Sequence, residues 1–131
     1  MDQKRLNIIV NQWLTKAEND LLLVEQGFSS SNPITDALCF HCQQAVEKYL
    51  KVFCISRKTD YPKVHDIARL MEACIAIDTS FESLRELSYL SNYAVDIRYP
   101  DDFYIPSLEE LQKAYEDAKK VKVFVMSRCK T

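Results

Sequence analysis

A single glycine at position 27 and four prolines leave this 131-residue chain little material for turns. Sheet domains of this length turn many times, and the left-handed backbone of tight turns favours glycine. The expected fold class is therefore all-α: an antiparallel up-and-down bundle of four main helices plus a short fifth. Residues 1–131 are read as one domain, because two halves would each be too small for a comfortable core. A hydrophobic content of 47% supplies that core, and 27% charged residues supply a solvated surface.

Periodicity places the helices. Leu6, Val10, Trp13, Ala17, Leu21 and Val24 recur at spacings of three and four, the stripe of an amphipathic helix running from about Asp2 to Gly27 or Phe28. Gly27 is expected as its left-handed C-terminal residue. Asn32 then reads as an N-cap and Pro33 as the first residue of a second helix reaching Ser56. That helix carries two adjacent apolar seams, Leu38–Cys42–Ala45–Tyr49–Val52 and Cys39–Val46–Leu50–Phe53, so it is expected at the centre. Gln43, Gln44, Glu47, Lys48 and Lys51 fall on its opposite edge. A shorter helix is expected from Val64 to Ile77. Thr79 with Glu82 reads as a capping box opening a fourth helix that runs through Ile97 and is stopped by Pro100. Ser107 with Glu110 opens the last helix at Leu108.

A formal charge of −2 and a pI near 5.7 argue against broad nucleic-acid binding, which needs a basic footprint. No apolar run approaches the roughly 20 residues of a membrane span, and no signal-peptide core follows Met1. A cytoplasmic protein is expected, with no membrane partner. Cysteines 39, 42, 54, 74 and 129 fall mostly within apolar helical patterns and read as reduced, buried thiols. Cys39, His41 and Cys42 invite a metal assignment, but no second ligand pair accompanies them. With no glycine-rich phosphate loop either, no metal and no cofactor are expected.

The polar residues that remain suggest a cleft. Arg98, where the chain leaves the fourth helix, can hold a phosphate or a carboxylate. It can equally be a dipole-favoured arginine paired with Asp96, Asp101 or Asp102. Tyr99 and Pro100 read as packing and termination, and Asp101 as a group that orients Arg98. Gln44, Lys48 and Lys51 are candidates for the opposite wall. Alternatively they form a solvated face with a Glu47–Lys51 pair at i, i+4. His65 is read as a polar residue in the first turn of the third helix.

Three stretches in this order resemble the HEPN family, small helical proteins of higher eukaryotes and prokaryotes named for nucleotide binding. They are Ala17-Glu18-Asn19-Asp20-Leu21, Ala37 to Lys51 with Gln43-Gln44-Ala45 and Glu47-Lys48-Tyr49-Leu50-Lys51, and His65-Asp66-Ile67 with Arg98-Tyr99-Pro100-Asp101. The resemblance spans about Leu6 to Val125. It implies a helical bundle, a homodimer, and a minimal nucleotidyltransferase as neighbour and partner. Many such proteins are metal-independent ribonucleases of toxin–antitoxin systems, with an arginine followed after four to six residues by histidine. Here the corresponding positions hold Phe103, Tyr104 and Ile105. The expected function is a homodimeric nucleotide- or partner-binding module, paired with a nucleotidyltransferase in a toxin–antitoxin-like system and without catalysis of its own. Its ligand-binding candidates are Arg98, Asp101, Tyr99, Gln44, Lys48 and Lys51. The alternative is a metal-independent ribonuclease toxin using Arg98, with Tyr104 or a partner supplying the base.

Overall fold

A computed structural model describes residues 2–94 and 103–129. Helix α1 spans Gln3–Phe28, α2 Thr35–Ser56 and α3 Ile67–Ile77; a 3₁₀ helix covers Thr79–Tyr93, and α4 spans Leu108–Arg128. No strand occurs among the described residues, and the all-α expectation holds.

Helix α2 is the axis of the bundle and packs against every other element. Both of its seams are buried, with Val46, Tyr49, Leu50, Val52 and Phe53 shielded from solvent. Helix α1 runs antiparallel to α2: Glu18 meets Tyr49, while Gly27 lies under Leu38 near the other end. Helix α4 runs parallel to α2, since Thr35 bonds to Pro106 at one end and Arg57 reaches Arg128 at the other. Residues 57–66 carry the chain back along the bundle, so α3 also runs with α2. His65 lies beside Gln43 and Cys74 beside Leu50. The 3₁₀ helix returns antiparallel, from Phe81 beside Phe53 to Ser91 beside Ile67.

The ends of the helices differ from the sequence expectation in instructive ways. Gly27 does not take a left-handed backbone. It is a point of close approach, where a Cβ would sit 2.3 Å from Leu38 Cδ1 and force that side chain to shift. The Asn32–Pro33 start is also corrected. Helix α2 begins at Thr35 after Ile34, with no side-chain cap. The Thr35 hydroxyl is used over long range instead, donating to the Pro106 carbonyl at 2.6 Å and tying the heads of α2 and α4 together. Helix α3 begins at Ile67 rather than Val64, because Asp66 caps the Ala68 N–H and Ser91 Oγ accepts the Ile67 N–H at 2.7 Å. The Thr79–Glu82 box does not form. Asp78, one residue earlier, accepts from the Ser80 amide and hydroxyl, and Glu82 pairs with Arg85. The element that follows is 3₁₀. Ser107 does cap α4 through the Glu110 N–H. The expected run of the fourth helix to Ile97 and its stop at Pro100 lie outside the described residues.

The core has an aromatic spine. Phe81 lies 4.4 Å from Phe53 and 4.8 Å from Phe124, centroid to centroid, joining the 3₁₀ helix to α2 and α4. Cys39, Cys42, Cys54 and Cys74 are buried as small apolar groups, and all five thiols are free. Burial pushes the Cys39 thiol up to about 12 and raises Cys42 as well, so neither is a thiolate near neutrality. Phe81→Ala should cost about 3–5 kcal/mol, the range for truncating a fully buried phenylalanine. Urea unfolding followed by circular dichroism measures it.

Candidate functional site: a buried polar strip on α2

The polar edge of α2 is largely withdrawn from water, with Gln44 and Lys48 half-buried and the other three buried. Gln43 is 0%, Glu47 3% and Lys51 8% exposed, which corrects the solvated-face reading. The cause is the central position of α2: α1 covers one flank, and the segment leading to α3 covers the next. Polar groups enclosed in this way must find partners inside the protein, and these form one connected chain.

At one end of the strip, Asp20 of α1 accepts from Lys48 Nζ at 2.6 Å through Oδ2 and lies 2.9 Å from His41 Nδ1 through Oδ1. Gln44 lies 3.5 Å from Lys48 through its carbonyl oxygen, and its amide donates to Gln43 Oε1 at 2.7 Å. Gln43 in turn donates to Glu47 Oε2 at 2.9 Å. At the far end, Glu47 Oε1 receives Lys51 Nζ at 2.7 Å and lies 2.9 Å from His65 Nδ1. The Lys51 ammonium also sits 5.6 Å from the Trp13 ring centroid and 5.7 Å from that of Tyr61, within cation–π range.

The Glu47–Lys51 pair thus exists as a buried link, not as a surface pair. Burial raises the Glu47 carboxyl, but hydrogen bonds from Lys51 and Gln43, then the charges of Lys51 and His65, outweigh it and hold the group below its usual range. His65 lies ahead of α3 and packs on α2 through Glu47. The two lysines proposed as a ligand wall are each neutralised by a carboxylate, and Gln44 bridges between them.

Asp20, His41, Glu47 and His65 were not among the sequence candidates. Asp20 was nonetheless visible as a carboxylate on the apolar stripe, between Ala17 and Val24. Asp117 repeats the pattern on α4 between Ala114 and Val121, where it accepts from Tyr89 and Lys113.

A third group lies at the head of α4. The Tyr93 and Tyr104 hydroxyls both donate to Glu110. One carboxylate therefore joins positions on either side of residues 95–102. Arg98, Tyr99 and Asp101 lie within that stretch, outside the described residues. Among the positions where a ribonuclease histidine would stand, Phe103 and Ile105 are exposed. Tyr104 is held protonated: its hydrogen bond to Glu110, then desolvation and the Glu110 charge, raise its pKa.

The sequence profile of the HEPN domain matches residues 10–128. The chain belongs to the HEPN family. A solved crystal structure of an archaeal HEPN homologue superposes with a TM-score of 0.72 at 21% identity, covering 92% of this chain and 98% of that one. At that identity the likeness speaks for the fold. No curated protein shows significant sequence similarity to this chain. In this HEPN domain, no helix among the described residues is long and apolar enough to cross a membrane.

The strip generates a stability prediction with a definite sign. A carboxyl whose folded pKa lies below its unfolded value stabilises fully above about pH 4.3 and loses that contribution as pH falls through the folded value. Glu18 and Asp117 are lowered in the same direction: burial raises both, and their tyrosine and lysine partners outweigh it. Unfolding free energy should therefore fall as pH drops below about 4.3. Glu47→Ala, which strands the buried Lys51, should cost about 3–5 kcal/mol at pH 7 and flatten part of the acid slope. Denaturant titrations across pH measure both effects.

Proposed function

We propose that this HEPN protein is a non-catalytic binding module: a homodimer that holds an anionic ligand, a nucleotide or a nucleotidyltransferase-type partner, through Arg98. Asp101 orients the guanidinium and Tyr99 packs beside it. In this reading Gln44, Lys48 and Lys51 brace the bundle rather than touch the ligand. A paired toxin–antitoxin-like role with a minimal nucleotidyltransferase fits such a module.

The observation that carries the reading is the state of Tyr104. A metal-independent ribonuclease needs a group near its arginine that exchanges protons close to neutrality. The hydroxyl in the histidine's place is tied to Glu110 and held protonated. Phe103 and Ile105 beside it offer an apolar contact surface and no acid–base chemistry.

Isothermal titration against a panel of ribonucleotides tests the module. Arg98→Ala should weaken binding at least tenfold with an unchanged far-UV spectrum. Purified protein with RNA and chelator should leave the RNA intact. Metal-free cleavage that disappears in Arg98→Ala would replace this reading with the ribonuclease toxin.

A further inference from the structure

Helices α1 and α4 both lean on α2 but scarcely on each other among the described residues. The space between them is an open groove. Two adjoining hollows of about 280 and 500 Å³ lie along it, sharing Lys119 as a common wall. From Leu108 to Val123 the groove follows about 22 Å of α4, or four helical turns.

Its lips carry exposed apolar side chains among charged ones. Leu22 is 49% exposed and Val123 67%, with Leu23 and Met126 exposed beside them. Glu18, Leu22 and Glu25 recur at i, i+4, i+7 along the α1 lip. Lys119, Val123 and Met126 do the same along the α4 lip, with Lys122 adjacent. At these positions one lip is acidic with an apolar rung and the other basic with an apolar rung, while Glu116 of α4 lines the second hollow beyond them. Within one copy Lys122 already reaches Glu18 at 2.9 Å, Lys119 lies over the Tyr115 ring and Tyr115 donates to Glu25.

We infer that this groove is the face through which two copies of the chain associate, about a two-fold axis that sets the acidic α1 lip of each against the basic α4 lip of the other. A two-fold contact is self-complementary: every patch must match a different patch on an identical surface. A groove with one acidic and one basic lip has that property, whereas two lips of the same sign would repel across the axis. The apolar rungs Leu22 and Val123 form the dry centre, and the lysines and glutamates form the charged rim. The four helices then pack as a bundle across the axis, burying the exposed Leu22 and Val123. This inference rests on the homodimer reading above and specifies its surface.

Sedimentation velocity at micromolar concentration is the test. The native chain should sediment as a dimer. Leu22→Asp and Val123→Asp, both at exposed positions, should each give monomers with unchanged far-UV spectra. The rim is tested by charge reversal. K119E/K122E alone and E18K/E25K alone should each weaken association at least tenfold, while an equimolar mixture of the two should restore a dimer containing one copy of each. A native dimer that survives both aspartate variants overturns this face while leaving the homodimer standing. A native monomer overturns both, and the groove then belongs to a helix of another protein. Failure of the mixture to recover association overturns the lip-to-lip pairing.

Discussion

The central position of α2, in contact with every other element, is the constraint under which the rest of the molecule is arranged. A helix that touches every other element has little surface left for solvent, yet α2 carries Gln43, Gln44, Glu47, Lys48 and Lys51 in its central turns, three of them buried and Gln44 and Lys48 half-buried. An unpaired charge there would cost several kcal/mol, so each is answered by a partner of opposite sign or by an amide. Partners come from elsewhere in the chain: Asp20 and the Trp13 ring from α1, and the Tyr61 ring and His65 from the 57–66 connection. The strip therefore does more than satisfy itself. It sets where α1 and the 57–66 connection lie against α2, because a register slip of one residue in α1 would pull Asp20 away from Lys48.

Buried ion pairs are weak sources of net stability, since desolvation cancels most of the attraction. The apolar seams and the Phe53–Phe81–Phe124 spine hold the bundle together. The strip contributes specificity, discriminating the native packing from others that would bury the same apolar area. This division explains why its members were attractive as site residues. Amides and lysines at regular spacing on one helix edge look alike whether they wait for a phosphate or for internal carboxylates.

How legible each feature was follows from the range of the interaction involved. Scarcity of glycine and the three-and-four spacing of Leu6 to Val24 act locally, and they placed α1, α2 and α4 within a few residues of where they lie. The Ser107 cap is local too and forms. Thr35 escaped notice because its partner, the Pro106 carbonyl, lies far along the chain. Gly27 was mistaken for a terminator because its role, room for Leu38, is tertiary. The Thr79–Glu82 pattern yielded to Asp78, whose carboxylate one residue earlier accepts from the Ser80 amide and hydroxyl. The 3₁₀ character of residues 79–93 is written in the spacing of the buried Phe81, Leu84, Leu87 and Leu90: a strict period of three stays on one face of a 3₁₀ helix, whereas in an α-helix the first and last of these would fall on opposite faces. In the site, the carboxylates were readable as misplaced charges on apolar stripes, but their lysine partners were not assignable without the fold.

Tyrosine hydroxyls meeting carboxylates between elements complete the picture. Tyr49 meets Glu18 between α2 and α1, Tyr115 meets Glu25 between α4 and α1, and Tyr89 meets Asp117 between the 3₁₀ helix and α4. Burial first, then the hydrogen bond and the carboxylate charge, raises the pKa of all three hydroxyls. They remain donors throughout the physiological range. One of these links, Tyr115 on Glu25, straddles the gap between α1 and α4, as does Lys122 on Glu18. Apolar collapse would draw those helices together over Leu22 and Val123. Tyr115, a rigid aromatic body with a fixed polar tip, holds them apart instead, because a tyrosine joins two backbones at a set distance that a pair of leucines does not. The spacing of the groove is thus maintained by residues that also line it, so the face is shaped before anything docks. A preformed surface loses less conformational entropy on association than one ordered by its partner, which suits a small bundle whose central helix has little surface of its own left to offer.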